Sequence, residues 1–187
     1  MTNTKNNVRS IVLCALFAAL SAVGAFIKIP LPVIPMTLQF FFVALSGILL
    51  GPRRGLLSQL CYLLVGLAGF PVFTKGGGVS YVFEMSFGYL IGFVFAAFVI
   101  GTVYRKLESR GFVGMLVACL CGMLTNHFFG CLHMYLLSNF YLHSAMSFWR
   151  VIQIGSITFL PSDSVACLLT ALIASKVVPL LKRAGLV

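Results

Sequence analysis

Carboxylate side chains are scarce in this sequence, and one of them opens an apolar segment. Asp163, Glu84 and Glu108 are the three such groups among 187 residues. Asp163 lies in "FLPSDSVACLLTALIA", which is otherwise almost entirely apolar. An ionised acid inside a bilayer costs about 2.5–3.5 kcal/mol on insertion scales, which makes Asp163 a candidate for function. Because an ionised carboxylate only accepts hydrogen bonds, it would suit a ligand that offers N–H donors in a dry pocket.

A structural role for Asp163 is the alternative. Pro161 and Ser162 form a reasonable entry to a helix, with Ser162 as a possible N-cap. An acid in the first turn is then favoured by the helix dipole, by about 0.3–1 kcal/mol.

Further residues that could contact a ligand lie near the ends of apolar segments, in a glycine-rich loop or, for Asn126, within an apolar segment. These candidates are Gln39, Lys75, Gly77, Tyr81, Tyr89 and Asn126. Lys75 and Gly77 belong to the loop "FTKGGGVS", where Lys75 is either a solvated charge or the partner of an anionic ligand group. Tyrosines at such positions are usually members of an interfacial belt.

Thr125, Asn126, His127 and His133 introduce polarity into the middle of an apolar segment. They could make hydrogen bonds between helices, line a pocket or bind a metal. A metal site needs a carboxylate or a third histidine within reach, and none is evident. Hydrogen bonding between helices is therefore the favoured interpretation, and we expect no metal site.

Catalytic and nucleotide-binding motifs are absent from the sequence. It contains no G-x-x-x-x-G-K-[ST], no nucleophile elbow, no H-E-x-x-H and no paired catalytic carboxylates. The six cysteines all lie in apolar segments without zinc-type spacing and are expected to act as small hydrophobic residues. We therefore expect neither an enzyme nor a self-powered ATP-driven transporter, and no cofactor.

The composition is that of an integral membrane protein. Hydrophobic residues make up 60% of the chain and charged residues 9%, and the mean hydropathy is +1.08. A soluble domain carries about 25% charged residues. The formal net charge of +10 does not indicate nucleic-acid binding, because the basic residues occur singly or in pairs and form no nucleic-acid motif.

The apolar segments predict a single all-α membrane domain, 1–187, with six transmembrane helices. The predicted spans are Ile11–Ile27, Met36–Leu50, Leu56–Phe70, Met85–Tyr104, Phe112–Leu137 and Asp163–Val178. The mixed stretch Ser138–Ile157 is expected near the membrane surface. The last span is expected to end at Pro179.

Basic residues predict the orientation of these spans. With both termini in the cytoplasm, ten of the thirteen lysines and arginines fall on the inner side, and Lys28, Lys75 and Arg150 fall on the outer side. The irregular segments "KIPLPVIP", "FTKGGGVS" and "FLPSD" then share the outer face. Because irregular backbone at membrane depth is tolerated only where it is buried or lines a cavity, they predict a pocket open to the outside.

The first predicted helix carries alanines at helical spacing. Ala15, Ala18, Ala19 and Ala22 are expected to share one nearly flat face. Small side chains let two helices approach closely in lipid. This face either packs against another helix of the same chain or docks on a separate membrane subunit.

Several stretches together resemble the BioY family, the biotin-specific substrate-binding (S) components of energy-coupling-factor (ECF) vitamin transporters. They are "ALFAALSAVGAFIKIPLPVIPMTLQ", "GILLGPRRGLLSQLCYLLVGLAGFPVF", "GYLIGF" and "FLPSDSVACLLTALIA". The resemblance implies the six-helix S-component fold, a bacterial cytoplasmic membrane location and an outward-facing biotin pocket capped by the loops after helices one and three. It also implies that the alanine-rich helix docks on a transmembrane coupling subunit driven by two ABC-type ATPases.

Two departures from the family pattern affect the expected site. Family members usually read P-G-D-x-x-K before the last helix, whereas Ala166 stands at the lysine position here. They usually read G-P-T-G-G-Y-L where this chain has "EMSFGYL". The resemblance implies that Asp163 accepts hydrogen bonds from the ureido N–H groups, and Lys75 could receive the valerate carboxylate. The alternatives are an S component for another small carboxylated vitamin or precursor, and a stand-alone biotin facilitator.

Overall fold

A computed structural model describes residues 2–142 and 145–183, with side chains from residue 8 onward. Its helices are α1 Thr2–Phe26, α2 Gln39–Leu50, α3 Pro52–Leu67, α4 Phe87–Lys106, α5 Gly111–Leu136, α6 Phe148–Ile152 and α7 Leu160–Arg183. Short 3₁₀ turns cover Val79–Phe83 and Glu108–Arg110, and π-helical turns cover Leu137–Tyr141 and Gln153–Ile157. A small antiparallel hairpin pairs β1 Lys28–Ile29 with β2 Met36–Thr37.

The predicted number of six long helices is confirmed by α1–α5 and α7 in the described part of the chain. By length and composition, four segments can cross a membrane: Val8–Phe26, Phe87–Lys106, Glu108–Tyr141 and Phe148–Arg183. The helices α2 and α3 have 12 and 16 residues, so they are only about 18 Å and 24 Å long. A bilayer core is about 30 Å thick, so each of these two helices leaves room for irregular chain at membrane depth.

Several predicted boundaries were wrong. The second span begins at Gln39 because Met36 and Thr37 pair with the chain leaving α1. The last helix begins at Leu160 and continues through Pro179 to Arg183. A proline inside a transmembrane helix leaves a backbone carbonyl without its usual hydrogen bond. The helix can continue where neighbouring helices or side chains provide another partner for that group. Most of the predicted surface stretch Ser138–Ile157 is helical and extends α5 or leads into α7.

The turn between α2 and α3 requires a glycine. Gly51 has φ 78° and ψ 178°, a region that is essentially restricted to glycine. A Cβ there would lie 2.6 Å from Nη2 of Arg105 in α4. Pro52 follows at the first position of α3, where its missing N–H and fixed φ favour helix initiation. This turn holds the ends of α2, α3 and α4 close together.

Close contact between α4 and α5 depends on small residues. A side chain at Gly92 would overlap Asn126, and one at Gly130 would overlap the ring of Tyr89. Glycine at helix interfaces lets the backbones approach closely in a membrane. The two glycines thereby allow Tyr89 and Asn126 to sit between the helices.

The four alanines of the predicted small-residue face of α1 lie in two environments. Ala18 is buried and Ala22 half-buried against the chain's own core, while Ala15 and Ala19 are exposed. The cause is the rotation of α1 against α2 and α3, which it contacts along one side. Ala15 and Ala19 therefore remain as the outward part of the face.

A fully buried polar cluster joins α1, α2 and α3. The hydroxyl of Ser21 donates to Gln59 Oε1 over 3.0 Å, and Gln59 Nε2 donates to Ser46 Oγ over 3.3 Å. Ser46 in turn donates to the carbonyl of Val43 over 2.7 Å. Its neighbour Ser58 is also fully buried, yet its hydroxyl has no hydrogen-bond partner among the described residues. Gln59 is thus the residue that ties the three helices together.

Gln59→Ala should destabilise the folded protein by about 1–3 kcal/mol. The substitution removes two hydrogen bonds between helices, each worth about 0.6 kcal/mol on average, leaves a cavity and deprives Ser21 of its acceptor. Ser58→Ala is the matched control and should change stability by less than about 0.5 kcal/mol, because its hydroxyl makes no bond. The free energy of unfolding of both variants is measured by SDS titration in detergent micelles, followed by circular dichroism. An equal loss of stability in Gln59→Ala and Ser58→Ala would contradict the role assigned to Gln59.

Candidate functional site

A cavity of about 510 Å³, counted as space between atoms including its mouth, lies at the end of the bundle where α2, α4 and α7 begin. Its lining comprises Ile34, Pro35, Thr37, Gln39, Phe40, Thr74, Tyr81, Ser86, Tyr89, Leu90, Phe93, Asn126, Phe159 and Asp163. Small-molecule sites combine apolar walls with a few polar groups, and the lining of this cavity does so as well.

Asp163 lies in the first turn of α7 and is not a lone charge. Its Oδ2 is 2.9 Å from Nε2 of His127 in α5, and Nδ1 of His127 is 3.0 Å from the hydroxyl of Ser156. The Asp163 side chain is 12% exposed and that of His127 is 4% exposed. Because a buried carboxylate without a partner is costly, this pair lets the acid remain between α5 and α7. Hydrogen bonding between helices by His127 is thereby confirmed.

The proton arrangement at His127 leaves part of Asp163 available. A neutral imidazole donates from Nε2 to Asp163 and accepts the Ser156 hydroxyl proton at Nδ1, whereas a charged imidazole donates at both nitrogens. Either way the bond occupies Oδ2. No hydrogen bond to Oδ1 occurs in the described part of the chain, so this oxygen can accept one from a ligand.

Ser162 does not act as the predicted N-cap. The helix begins at Leu160, so Ser162 lies inside the first turn, and its hydroxyl donates to the carbonyl of Phe159 over 2.9 Å. The backbone N–H of Asp163 donates to the same carbonyl. The position of Asp163 is therefore set by the continuous turn from Gln153–Ile157 into α7 rather than by a serine cap.

Within the described residues, Asn126 has an unpartnered buried oxygen, Oδ1, that lies next to Gly92 of α4. The residue is 2% exposed, lines the cavity and has no hydrogen-bond partner for its Oδ1 within residues 2–142 and 145–183. An unsatisfied buried polar atom costs about 1–3 kcal/mol, and in native proteins it normally meets water or a ligand. Asn126 and Asp163 thus both belong to the cavity lining, and the Oδ1 atom of Asn126 is packed against α4.

The tyrosine hydroxyl groups of the cavity lining form hydrogen bonds within the protein. Tyr81 bonds to Thr74 over 2.8 Å and to Ser86 over 3.2 Å. Tyr89 donates its hydroxyl to the carbonyl of Gly155, in the π-helical turn before α7. These bonds fix the rings of Tyr81 and Tyr89 against the cavity.

Gln39 holds the first residues of α2 in place. Its Nε2 donates to the hydroxyl of Tyr62 over 2.7 Å, and Thr37 donates to its Oε1 over 3.1 Å. Tyr62 then donates to the carbonyl of Val72 in the loop after α3. Gln39 thus joins the hairpin, α2 and α3 at the cavity wall, with both ends of its amide used.

Two of the predicted site residues lie outside the cavity wall. Lys75 forms an ion pair with Glu84 at 2.7 Å, and its side chain is 48% exposed. Gly77 packs on the backbone of Phe70, where a Cβ would overlap the carbonyl oxygen. The other five candidates, Gln39, Tyr81, Tyr89, Asn126 and Asp163, all line the cavity.

The two loops above the cavity are joined at one point. Nζ of Lys28, in the hairpin after α1, donates to the carbonyl of Thr74 over 2.5 Å. Thr74 itself lines the cavity and precedes Lys75. Two lysine side chains therefore lie in the segments that cover the mouth.

Some residues of the site were not named in the sequence analysis. Nothing in the sequence marked these residues as site residues, because serine and threonine are common in loops. They are Thr37, Thr74, Ser86 and Ser156, the hydroxyl partner of His127. The pairing of His127 with Asp163 spans 36 residues along the chain, which no local pattern reveals. Within the described residues no group of three or more His, Cys, Asp or Glu side chains could hold a metal.

Comparison with known proteins places these features in a family context. The family model "BioY family" matches residues 1–183. A protein of Lysinibacillus sphaericus named probable biotin transporter BioY is 43% identical over 94% of this chain and 89% of its own length. The biotin transporter BioY of Thermotoga maritima is 37% identical over 89% of this chain and 94% of its own.

A solved structure shares the fold. It is described as the S-component for biotin from an ECF-type ABC transporter. The TM-score is 0.81 with 27% sequence identity, and the match covers 95% of this chain and 94% of the other.

The His127–Asp163 pair should appear as energetic coupling in a double-mutant cycle. His127→Ala leaves the acid unpaired, so it should destabilise the ligand-free protein by about 2–4 kcal/mol. Adding Asp163→Ala should recover part of that loss, with a coupling of about 1–3 kcal/mol. Unfolding in detergent measures the four proteins. A control cycle combines Thr125→Val with Asp163→Ala, and the stability losses of these two substitutions should simply add. Additive losses for His127→Ala and Asp163→Ala would contradict the pairing.

Proposed function

The chain belongs to the BioY family, and on this premise we propose that it is the biotin-binding subunit of an ECF-type vitamin uptake transporter. Its relatives are named as transporters, and the chain is a transport protein rather than an enzyme. The observation that carries the proposal is the cavity whose lining includes the buried carboxylate of Asp163 and the side chain of Asn126.

The chemistry of biotin suits these two acceptors. Its ureido ring offers two N–H donors, and its fused thioether ring is apolar. Asp163 Oδ1 would accept one N–H, and the side-chain amide of Asn126 would turn away from Gly92 to accept the other. Hydrogen bonds to a charged group contribute about 1.5–3 kcal/mol, and those to a neutral amide about 0.5–1.5 kcal/mol. The rings of Phe40, Phe93 and Phe159 supply the apolar wall.

We propose that His127 supplies the side-chain partner for Asp163 that the absent family lysine cannot supply. Ala166 is buried in the apolar core and offers no donor. His127 reaches Asp163 from α5 instead and binds the oxygen that faces away from the proposed ligand contact. Asp163 can therefore keep its position without a lysine one turn further along α7.

Lys75 is proposed to receive the carboxylate of the ligand at the mouth of the cavity. To do so, Lys75 would have to give up its ion pair with Glu84 and form one with the ligand carboxylate. Exposed ion pairs contribute about 0–1 kcal/mol, so this exchange costs little. Lys28 adds a second positive charge in the same loops.

The proposed setting is the cytoplasmic membrane of a bacterium, with both termini inside and the biotin cavity facing outward. The distribution of lysines and arginines supports this orientation. Energy would come from a transmembrane coupling subunit and two ABC-type ATPases, because the chain has no nucleotide-binding motif of its own. The outward alanines of α1, Ala15 and Ala19, form the proposed docking face.

Biotin binding to the purified protein tests the proposal. Wild type should bind radiolabelled biotin, and Asp163→Asn should weaken binding about ten- to a hundredfold, because the amide replaces a charged acceptor by a group that also donates. Asn126→Leu should weaken it by up to about tenfold, from the loss of a neutral hydrogen bond. Thr125→Val is the matched control and should bind like wild type, since its hydroxyl bonds within its own helix.

Equal binding by wild type and Asp163→Asn would remove the site assignment while leaving the family membership intact. In the same assay, unchanged affinity of Lys75→Ala would exclude the role proposed for that lysine. Saturation by another carboxylated vitamin, with no binding of biotin, would exclude biotin as the ligand.

Uptake assays test the docking face. Ala19→Leu should keep biotin binding but lose most uptake in cells that also produce a coupling subunit and the ATPases, because the larger side chain holds the helices apart. Ala19→Ser keeps the small size and should transport like wild type. Normal uptake by Ala19→Leu, or uptake by this chain alone in cells without coupling subunits, would contradict the proposed docking.

A further inference from the structure

A second cavity lies at the opposite end of the helix bundle from the biotin cavity. This cleft encloses about 720 Å³ of space between atoms, including its opening. It is lined by Ile48, Leu49, Leu50, Gly51, Arg54, Tyr104, Arg105, Glu108, Val178 and Lys182. The same helices α2, α4 and α7 contribute their first residues to the biotin cavity and their last residues to this cleft.

The cleft carries unbalanced positive charge. Lys182 forms an ion pair with Glu108. Arg54 and Arg105 are exposed at the cleft, and neither has a carboxylate within ion-pair distance in the described ranges. The guanidinium of Arg105 lies against the Gly51 turn that joins α2 to α3. Among the described residues, the two guanidinium groups thus line one concave space whose single carboxylate, Glu108, is paired with Lys182.

The lining indicates the chemistry of the missing anion. Guanidinium groups bind phosphate oxygens in a bidentate manner, and the hydroxyl of Tyr104 on the same wall can donate a further hydrogen bond. The lining also has an apolar part, which includes Ile48, Leu49 and Val178. A ligand with a phosphate next to an apolar portion fits both parts of the lining.

We propose that this cleft binds the headgroup of an anionic phospholipid of the inner leaflet. Arg54 and Arg105 hold the phosphodiester, and the apolar part of the lining contacts the start of the acyl chains. Basic pockets between transmembrane helices on the cytoplasmic side are suited to anionic lipid headgroups. The inference rests on the proposed orientation in the membrane and is independent of which vitamin the outer cavity takes.

Native mass spectrometry of the detergent-purified protein tests the proposal with phosphatidylglycerol and phosphatidylcholine of identical acyl chains. Wild type should retain phosphatidylglycerol preferentially. Arg54→Gln combined with Arg105→Gln should weaken that binding about thirtyfold, at roughly fivefold for each cation lost. Arg53→Gln combined with Lys106→Gln is the matched control, because these exposed neighbours lie outside the cleft, and it should bind almost like wild type.

Glu108→Gln provides a test in the opposite direction. It removes the one negative charge of the cleft and frees Lys182, so phosphatidylglycerol should bind about fivefold more tightly. Weaker binding by this variant, or equal losses in the two double variants, would overturn the proposal. So would a cleft variant that keeps phosphatidylglycerol yet loses association with a coupling subunit, because the cleft would then be a protein contact.

Two further measurements distinguish a lipid phosphate from free phosphate, and the lipid proposal from the biotin proposal. Inorganic phosphate that displaces phosphatidylglycerol at equal concentration would show that a free anion, not a lipid, occupies the cleft. Biotin binding is measured on the same samples. A wild-type protein that binds phosphatidylglycerol but not biotin would contradict the proposed function alone, and retained biotin binding in the cleft variants shows that they are folded.

Discussion

A carboxylate in an apolar helix bundle has to be matched by a partner, and in this protein that constraint joins two helices across a cavity. Asp163 on α7 meets His127 on α5, and Ser156 holds the other side of the imidazole. The bond links the two helices next to the cavity that Asp163 lines. Among the described residues, no hydrogen bond reaches the other carboxylate oxygen of Asp163 or Oδ1 of the nearby Asn126. The same pairing therefore stabilises the bundle and leaves one oxygen of Asp163 available for a ligand.

The unequal lengths of the helices explain why the cavity lies at one end. The helices α2 and α3 are too short to cross a bilayer core of about 30 Å and share the Gly51 turn at one side. The missing length falls at the other side, where the hairpin Lys28–Thr37 and the loop after α3 fill the space. Backbone outside regular helices needs satisfied polar groups there. Bonds such as Tyr62 to the carbonyl of Val72 and Lys28 to that of Thr74 supply some of them.

Polar groups divide into three sets that serve different parts of the molecule. The cluster of Ser21, Ser46 and Gln59 is closed on itself and ties α1 to α2 and α3. The cavity lined by Asp163 is only partly satisfied, because one oxygen of that carboxylate makes no hydrogen bond within the described residues. The cleft at the other end has donors in excess, at Arg54 and Arg105. Opposite imbalances at the two ends fit a donor-bearing vitamin ring outside and an anionic lipid inside.

Composition and local pattern alone established the membrane class, the six long helices, most of their approximate bounds and the lack of a nucleotide-binding motif, because hydrophobicity over a window of residues is a local property. They also singled out Asp163 and four further residues of the cavity wall. They did not reveal that His127 is the partner of Asp163, that Lys75 pairs with Glu84, or that Ala18 turns inward while Ala19 turns outward. These features depend on the rotation and separation of packed helices, which are set by contacts such as Gly92 with Asn126 and Gly130 with Tyr89. Residues 36 positions apart meet only after that packing has formed, so only the tertiary structure could decide them.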